Sequence, residues 1–131
     1  MLAAAILAAT AAQAQVGSQF DLDCNGLMTS DFDGRKSESK YHVRMHIDLN
    51  NREWCVDDCS SLMAIAQIND NAIILSNYKE EHLSAYFQVN RRSGELVEVS
   101  EIRGGNGKAG DISVWGRCTP ALFTPFPERK F

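Results

Sequence analysis

Residues 41–49 alternate between apolar and polar side chains at all nine positions, with Tyr41, Val43, Met45, Ile47 and Leu49 on one parity and His42, Arg44, His46 and Asp48 on the other. A period of two is the signature of a strand with one face in a core and the other in water. It predicts solvated positions for His42, Arg44, His46 and Asp48. Residues 20–24 alternate in the same way and end on an inward-facing Cys24, with Asn25-Gly26 as a ready turn. Residues 62–68 and 72–76, separated by Asn69-Asp70-Asn71, read as a hairpin, although Leu62, Ile65 and Ala66 also fit a helical turn. Residues 83–89 and 96–102 flank Asn90-Arg91-Arg92-Ser93-Gly94, where Gly94 supplies the positive φ of a bulged hairpin. Residues 112–118 alternate again after a glycine-rich loop. Seven or eight short strands without a convincing long helix predict an all-β fold, an antiparallel small barrel or sandwich, with the choice between the two left open. Pro120, Pro125 and Pro127 argue against a central strand beyond Cys118. Residues 119–131 are therefore expected to be an extended Pro-rich tail packed on the domain through Phe123, Phe126 and Phe131.

Residues 1–14 carry no charge, and 12 of the 14 are apolar. The run at 2–12 matches a signal-peptide hydrophobic segment and is too short for a bilayer, which needs about 20 residues. Ala12-Gln13-Ala14 gives a small-x-small cleavage pattern, so 1–14 is read as a signal peptide and 15–118 as one β domain. Removing the peptide takes the chain from 131 residues and 44% apolar to 117 residues and about 39%, a modest core. The mature chain has no second hydrophobic span and is expected to be soluble, monomeric, and periplasmic or secreted.

Four cysteines in a small exported domain read as two disulfides. Of the three pairings, the three-residue spacer favours Cys55–Cys59, which leaves Cys24–Cys118. The gaps contain no CxxC, which removes both a zinc-ligand spacing and the usual redox motif. Asp57 and Asp58 beside Cys59 would also disfavour a reactive thiolate.

With 13 Lys/Arg against 17 Asp/Glu the chain lacks the basic stripe of a nucleic-acid binder, and DNA and RNA are poor candidate partners. Residues 105–110 match GxGxxG, but a strand follows where a dinucleotide fingerprint needs a helix. Around Asp31-Phe32-Asp33-Gly34 the EF-hand register fails at Thr29 and Lys40, so this is read as an acidic surface loop. His42 and His46 lie about 13 Å apart on a strand, too far for one metal ion. Asp21 and Asp23 sit about 6.6 Å apart on one strand face, within the loose range of glycosidase carboxylates. No nucleophile with a base can be assembled, and neither a cofactor nor a metal site is expected.

Phe20 to Cys24 with Gly26, Ile47-Asp48-Leu49, Trp54-Cys55, Val89-Asn90-Arg91 with Gly94, and Gly116-Arg117-Cys118 together resemble the layout of small exported proteins of alphaproteobacteria without an assigned activity. The resemblance covers most of the mature chain and implies fold and export, with no reaction attached. A fainter similarity is to periplasmic lysozyme inhibitors of small β-barrel form, whose Ser-rich loop leading to Tyr has its nearest equivalent in Ser37-Glu38-Ser39-Lys40-Tyr41. The expectation is a non-enzymatic periplasmic binding or envelope-interaction protein, with partners on loops containing Ser37, Ser39, Lys40 and Tyr41 and containing Asn106 and Lys108. The alternatives are a lysozyme inhibitor and a hydrolase using Asp21 and Asp23.

Overall fold

The computed structural model describes residues 17–104 and 109–128. The expected signal peptide, Asn106, Lys108 and Phe131 lie outside the described residues. Among the described residues nine strands are formed: β1 (Gln19–Phe32), β2 (Arg35–Asp48), β3 (Glu53–Val56), β4 (Met63–Ala64), β5 (Gln67–Ile68), β6 (Ala72–Lys79), β7 (Leu83–Asn90), β8 (Glu95–Arg103) and β9 (Ala109–Ala121). They make one antiparallel sheet in the order β4-β3-β2-β1-β9-β8-β7-β6-β5. A flat sheet of nine strands would hold its edges about 38 Å apart at ~4.8 Å per strand. The edge strands β4 and β5 are joined by Ile65 and Ala66 alone, a reach of at most about 11 Å. The sheet must therefore curl, and the protein is a half-barrel and not a sandwich.

Core side chains come from the concave face: Phe20, Leu22 and Cys24 of β1, Met45 and Ile47 of β2, Ile73 and Leu75 of β6, Phe87 and Val89 of β7, Leu96 of β8, and Val114 and Cys118 of β9 are all buried. Trp54 closes the layer edge-on against Phe87, with ring centroids 5.4 Å apart. The hairpin joining β7 and β8 closes as predicted, with Gly94 at φ +76° and its N–H on the Asn90 carbonyl.

Three local expectations are corrected. Asn25-Gly26 is not a turn, because β1 runs straight through it. Gly26 is opposite Gly116 on β9, where an added Cβ would collide with the Trp115 carbonyl. Glycine is needed there for close strand approach, not for φ. The turn lies at Asp33-Gly34, both at positive φ between the paired Phe32 and Arg35, a two-residue type I′ connection. The run at 62–68 is not one strand or a helical turn; it is split between the two edges of the sheet, β4 and β5.

The tail also begins later than expected, because Pro120 is inside β9, opposite Leu22 of β1. The Cys118 N–H points away from β1 to the Gly94 carbonyl, and Pro120, two residues on, has the same orientation. β8 pairs with β9 no further than Glu95↔Arg117, so the N–H that proline lacks has no strand to serve.

Both disulfides form with the expected pairing, Cys24–Cys118 and Cys55–Cys59. Cys24 and Cys118 are directly opposite on adjacent strands, Cα atoms 4.0 Å apart. The bond closes a loop of 94 residues against 4 for the other. The chain-entropy account then gives roughly 4–5 kcal/mol for the long loop and roughly 2 for the short one. Urea unfolding of the two double Cys→Ser variants should show that ordering, and equal losses would mean that loop length does not set their contributions.

Candidate functional site

Cys24 and Cys118 point into the core, so strand alternation sends Asp21, Asp23 and Leu27 of β1 and Trp115 of β9 to the convex face. On β2 the same face carries Lys40, His42, Arg44, His46 and Asp48. This convex face divides into a covered polar half and an exposed apolar half.

The polar half is organised by Asp21, which is fully buried. Its carboxylate accepts hydrogen bonds from Arg44 Nε (2.8 Å), His46 Nδ1 (2.8 Å), the Thr124 N–H (3.1 Å) and the Thr124 hydroxyl (2.8 Å). The other ring nitrogen of His46 donates to the Asp57 carbonyl at 2.8 Å. Both ring nitrogens of His46 thus face oxygen atoms. His46 and Asp48 are buried, which corrects the solvated positions predicted for them. Their parity is the predicted one, but the turn at Asp57 and the Thr124 contact with Asp21 close over His46. Asp48 is held by Gln19 and Asn51. His42 does remain exposed, 2.6 Å from Asp23. The two carboxylates paired in the hydrolase reading are therefore engaged separately, Asp21 with four donors and Asp23 with a histidine.

The C-terminal segment is tied down mainly by polar contacts. Thr124 docks on Asp21 and Arg44 reaches the Leu122 carbonyl, while Phe123 and Phe126 stack edge-on against each other with centroids 5.6 Å apart.

The apolar half crosses four strands. Leu27 of β1 is opposite Trp115 of β9, which is opposite Val97 of β8; Val99 and Tyr86 adjoin them one level up. Trp115 is 67% exposed and Leu27 49%, while the indole N–H of Trp115 donates to Glu95 at 2.7 Å and fixes the ring. Lys40, Arg117 and Gln88 frame the stripe. The sequence reading missed this surface, although counting back by twos from an inward Cys118 leaves Trp115 on the outside.

On the concave face, Glu98 is half-buried, and burial pushes its carboxyl above the usual range. Tyr41 shares this face; burial first, then the negative charges of Glu98 and Asp57, push its hydroxyl up. At the end of the half-barrel that carries the β7–β8 turn, a cavity of about 300 Å³ has Phe20, Leu22, Ile73 and Val89 as its floor and Arg91 and Arg92 at its rim.

Ser37, Ser39, Lys40 and Tyr41 are not in a loop, which corrects that expectation: all four are in β2. Ser37, Ser39 and Tyr41 take the concave parity and Lys40 the convex one; the Ser37 hydroxyl is hydrogen-bonded to Ser30. Among the described residues no cluster of three or more His, Cys, Asp or Glu side chains has metal-binding geometry, and no helix is long and apolar enough to cross a membrane. Comparisons with family models, curated proteins and solved structures find no match.

Two pH-dependent outcomes follow from the carboxylates. Burial by itself would raise the Asp21 pKa, but the hydrogen bonds from Arg44, Thr124 and His46 outweigh it and hold the carboxyl below its ordinary 3.8. A depressed acid stabilises the fold at any pH above its unfolded value, and that contribution disappears as pH falls below 3.8 through the folded value. Asp21→Ala should cost about 3 kcal/mol at pH 7 by urea unfolding, the lower end for a buried pair because Arg44 is partly solvated, and the difference from wild type should shrink in acid. Glu98 has the opposite sign, its neutral form being favoured in the folded state. Glu98→Gln should raise Tm at pH 7, with the gain narrowing as pH approaches 4.5. A Glu98→Gln protein less stable than wild type at pH 7 would refute the burial argument.

Proposed function

We propose that this chain is an exported, non-enzymatic interaction module of the periplasm or the secreted fraction, which binds a protein partner through the convex stripe centred on Trp115. The observation that carries the reading is an indole 67% exposed in mid-sheet, flanked across the strands by Leu27 and Val97. Tryptophan and tyrosine dominate the energetics of protein interfaces, and a polar-rimmed apolar patch on a folded surface marks a contact site. The indole hydrogen bond to Glu95 holds the ring in one orientation before any partner arrives, which lowers the entropy lost on binding. Two disulfides are compatible with an oxidising compartment. The resemblance to small exported alphaproteobacterial proteins fits the same reading. The lysozyme-inhibitor alternative relied on a Ser-rich loop, and the segment in question is a strand.

Trp115→Ala removes the anchor without touching the core. It should leave Tm within about 3 °C of wild type, because exposed substitutions change stability by no more than about 0.5 kcal/mol. Binding to a partner isolated from periplasmic extract should weaken at least about 30-fold, as expected for a hot spot of about 2 kcal/mol. Undiminished binding by Trp115→Ala refutes the proposed surface. Enzymatic turnover that vanishes on a single carboxylate substitution refutes the non-enzymatic reading.

A further inference from the structure

β2 has a strand on one side over its whole length and on the other side over only a third of it. β1 pairs with it from Arg35 to Asp48, whereas β3 pairs only from Met45 to Asp48. Antiparallel ladders direct backbone groups to opposite sides on alternate residues. Arg44 fixes the phase: its N–H bonds the Asp57 carboxylate and its C=O accepts from the Asp57 N–H, both on the side away from β1. The backbone N–H and C=O groups of Lys36, Glu38, Lys40 and His42 therefore point outward along the sheet, with no strand partner among the described residues. All four side chains are exposed.

We propose that this edge pairs with the same edge of a second copy of the chain, antiparallel about a two-fold axis at Ser39. The contact is isologous and closed, so it gives a dimer and not a fibre. Charge selects the register. Centred on Glu38, the pairing would set Glu38 against Glu38 and Lys36 against Lys40, like charges directly opposite and destabilising. Centred on Lys40, it would oppose the two Lys40 ammonium groups. Centred on Ser37, it would keep Lys36 against Glu38 but run into the Asp33-Gly34 turn, with half the ladder lost. Centred on Ser39, it sets each Glu38 against Lys40 of the other copy and Lys36 against His42, whose ring is already held by the Asp23 carboxylate. This register also uses every outward N–H and C=O from Lys36 to His42, roughly eight bonds between the copies. The alternating charges that protect an exposed edge from indiscriminate pairing thus specify one partner arrangement. The edge lies two strands from Trp115 and shares with the stripe one framing residue, Lys40.

In that register Ser39 meets Ser39 as a non-hydrogen-bonded pair, with Cα atoms about 4.5 Å apart, close enough for a disulfide. The Ser39→Cys protein, oxidised in air, is expected to run as a covalent dimer whose peptide map shows the two introduced thiols linked to each other, while Ser37→Cys is not. Because a new thiol can disturb the native bridges, light scattering without new cysteines provides the second arm. Wild type should self-associate between micromolar and millimolar concentration, Glu38→Lys should weaken this at least about tenfold, and Glu38→Lys with Lys40→Glu should restore it. Wild-type protein that stays monomeric throughout that range, including one whose edge captures only a foreign strand, overturns the proposal. So does a Ser39→Cys protein that cross-links no better than Ser37→Cys.

Discussion

The ladder between β1 and β9 holds the fold in its curled form. β1 is central, with β2 on one side and β9 on the other, so the first strand of the sheet is joined to the last. Every other neighbouring pair in the order is a local meander. Cys24–Cys118 crosslinks the non-local pair at its inner end, and Gly26 opposite Gly116 lets the two backbones approach closely two residues further on. Bringing together segments 94 residues apart is the largest loop-closure cost in the topology, and the bridge removes most of it from the unfolded chain.

Asp21 extends that junction to the convex side. It lies on β1, draws Arg44 and His46 from β2, and accepts two bonds from Thr124 beyond the end of β9. A buried carboxylate with its oxygens fully engaged is costly to place, and it stays because the Arg44 guanidinium, the His46 ring and two groups of Thr124 converge on it. That convergence makes Asp21 a structural fastener and leaves it little capacity to act on a substrate. Asp48 repeats the arrangement at the far end of β2, fastening Gln19 and the turn at Asn51.

These networks occupy the lower convex face, and among the described residues no segment covers the upper face or pairs with the β2 edge from Lys36 to His42. Leu27, Trp115, Val97 and Val99 cannot be drawn into the core, because their neighbours at opposite parity already are. The two surfaces have different chemistry. The stripe offers apolar area around one fixed indole, and the edge offers backbone hydrogen bonds arranged by alternating charge.

Much of the fold was legible from strand period and cysteine count. The alternation at 41–49 gave β2 its parity, Gly94 marked its hairpin, and the four cysteines paired as their spacing implied. These are local or covalent constraints, readable one segment at a time. Legibility failed wherever a second segment decided the outcome. Asn25-Gly26 has turn chemistry, but Gly116 on a distant strand required a glycine at that crossing. Pro120 was tolerated because β8 stops short of it, and His46 left water because the chain around Asp57 and Thr124 closed over its face. The sequence by itself determined that this chain makes half-buried antiparallel strands joined by two disulfides, since backbone alternation and covalent linkage are properties of short segments. Only the tertiary structure decided which polar face is covered, which strand edge is free and where an indole stands exposed, because each depends on distant segments that pack against the strand or leave it bare.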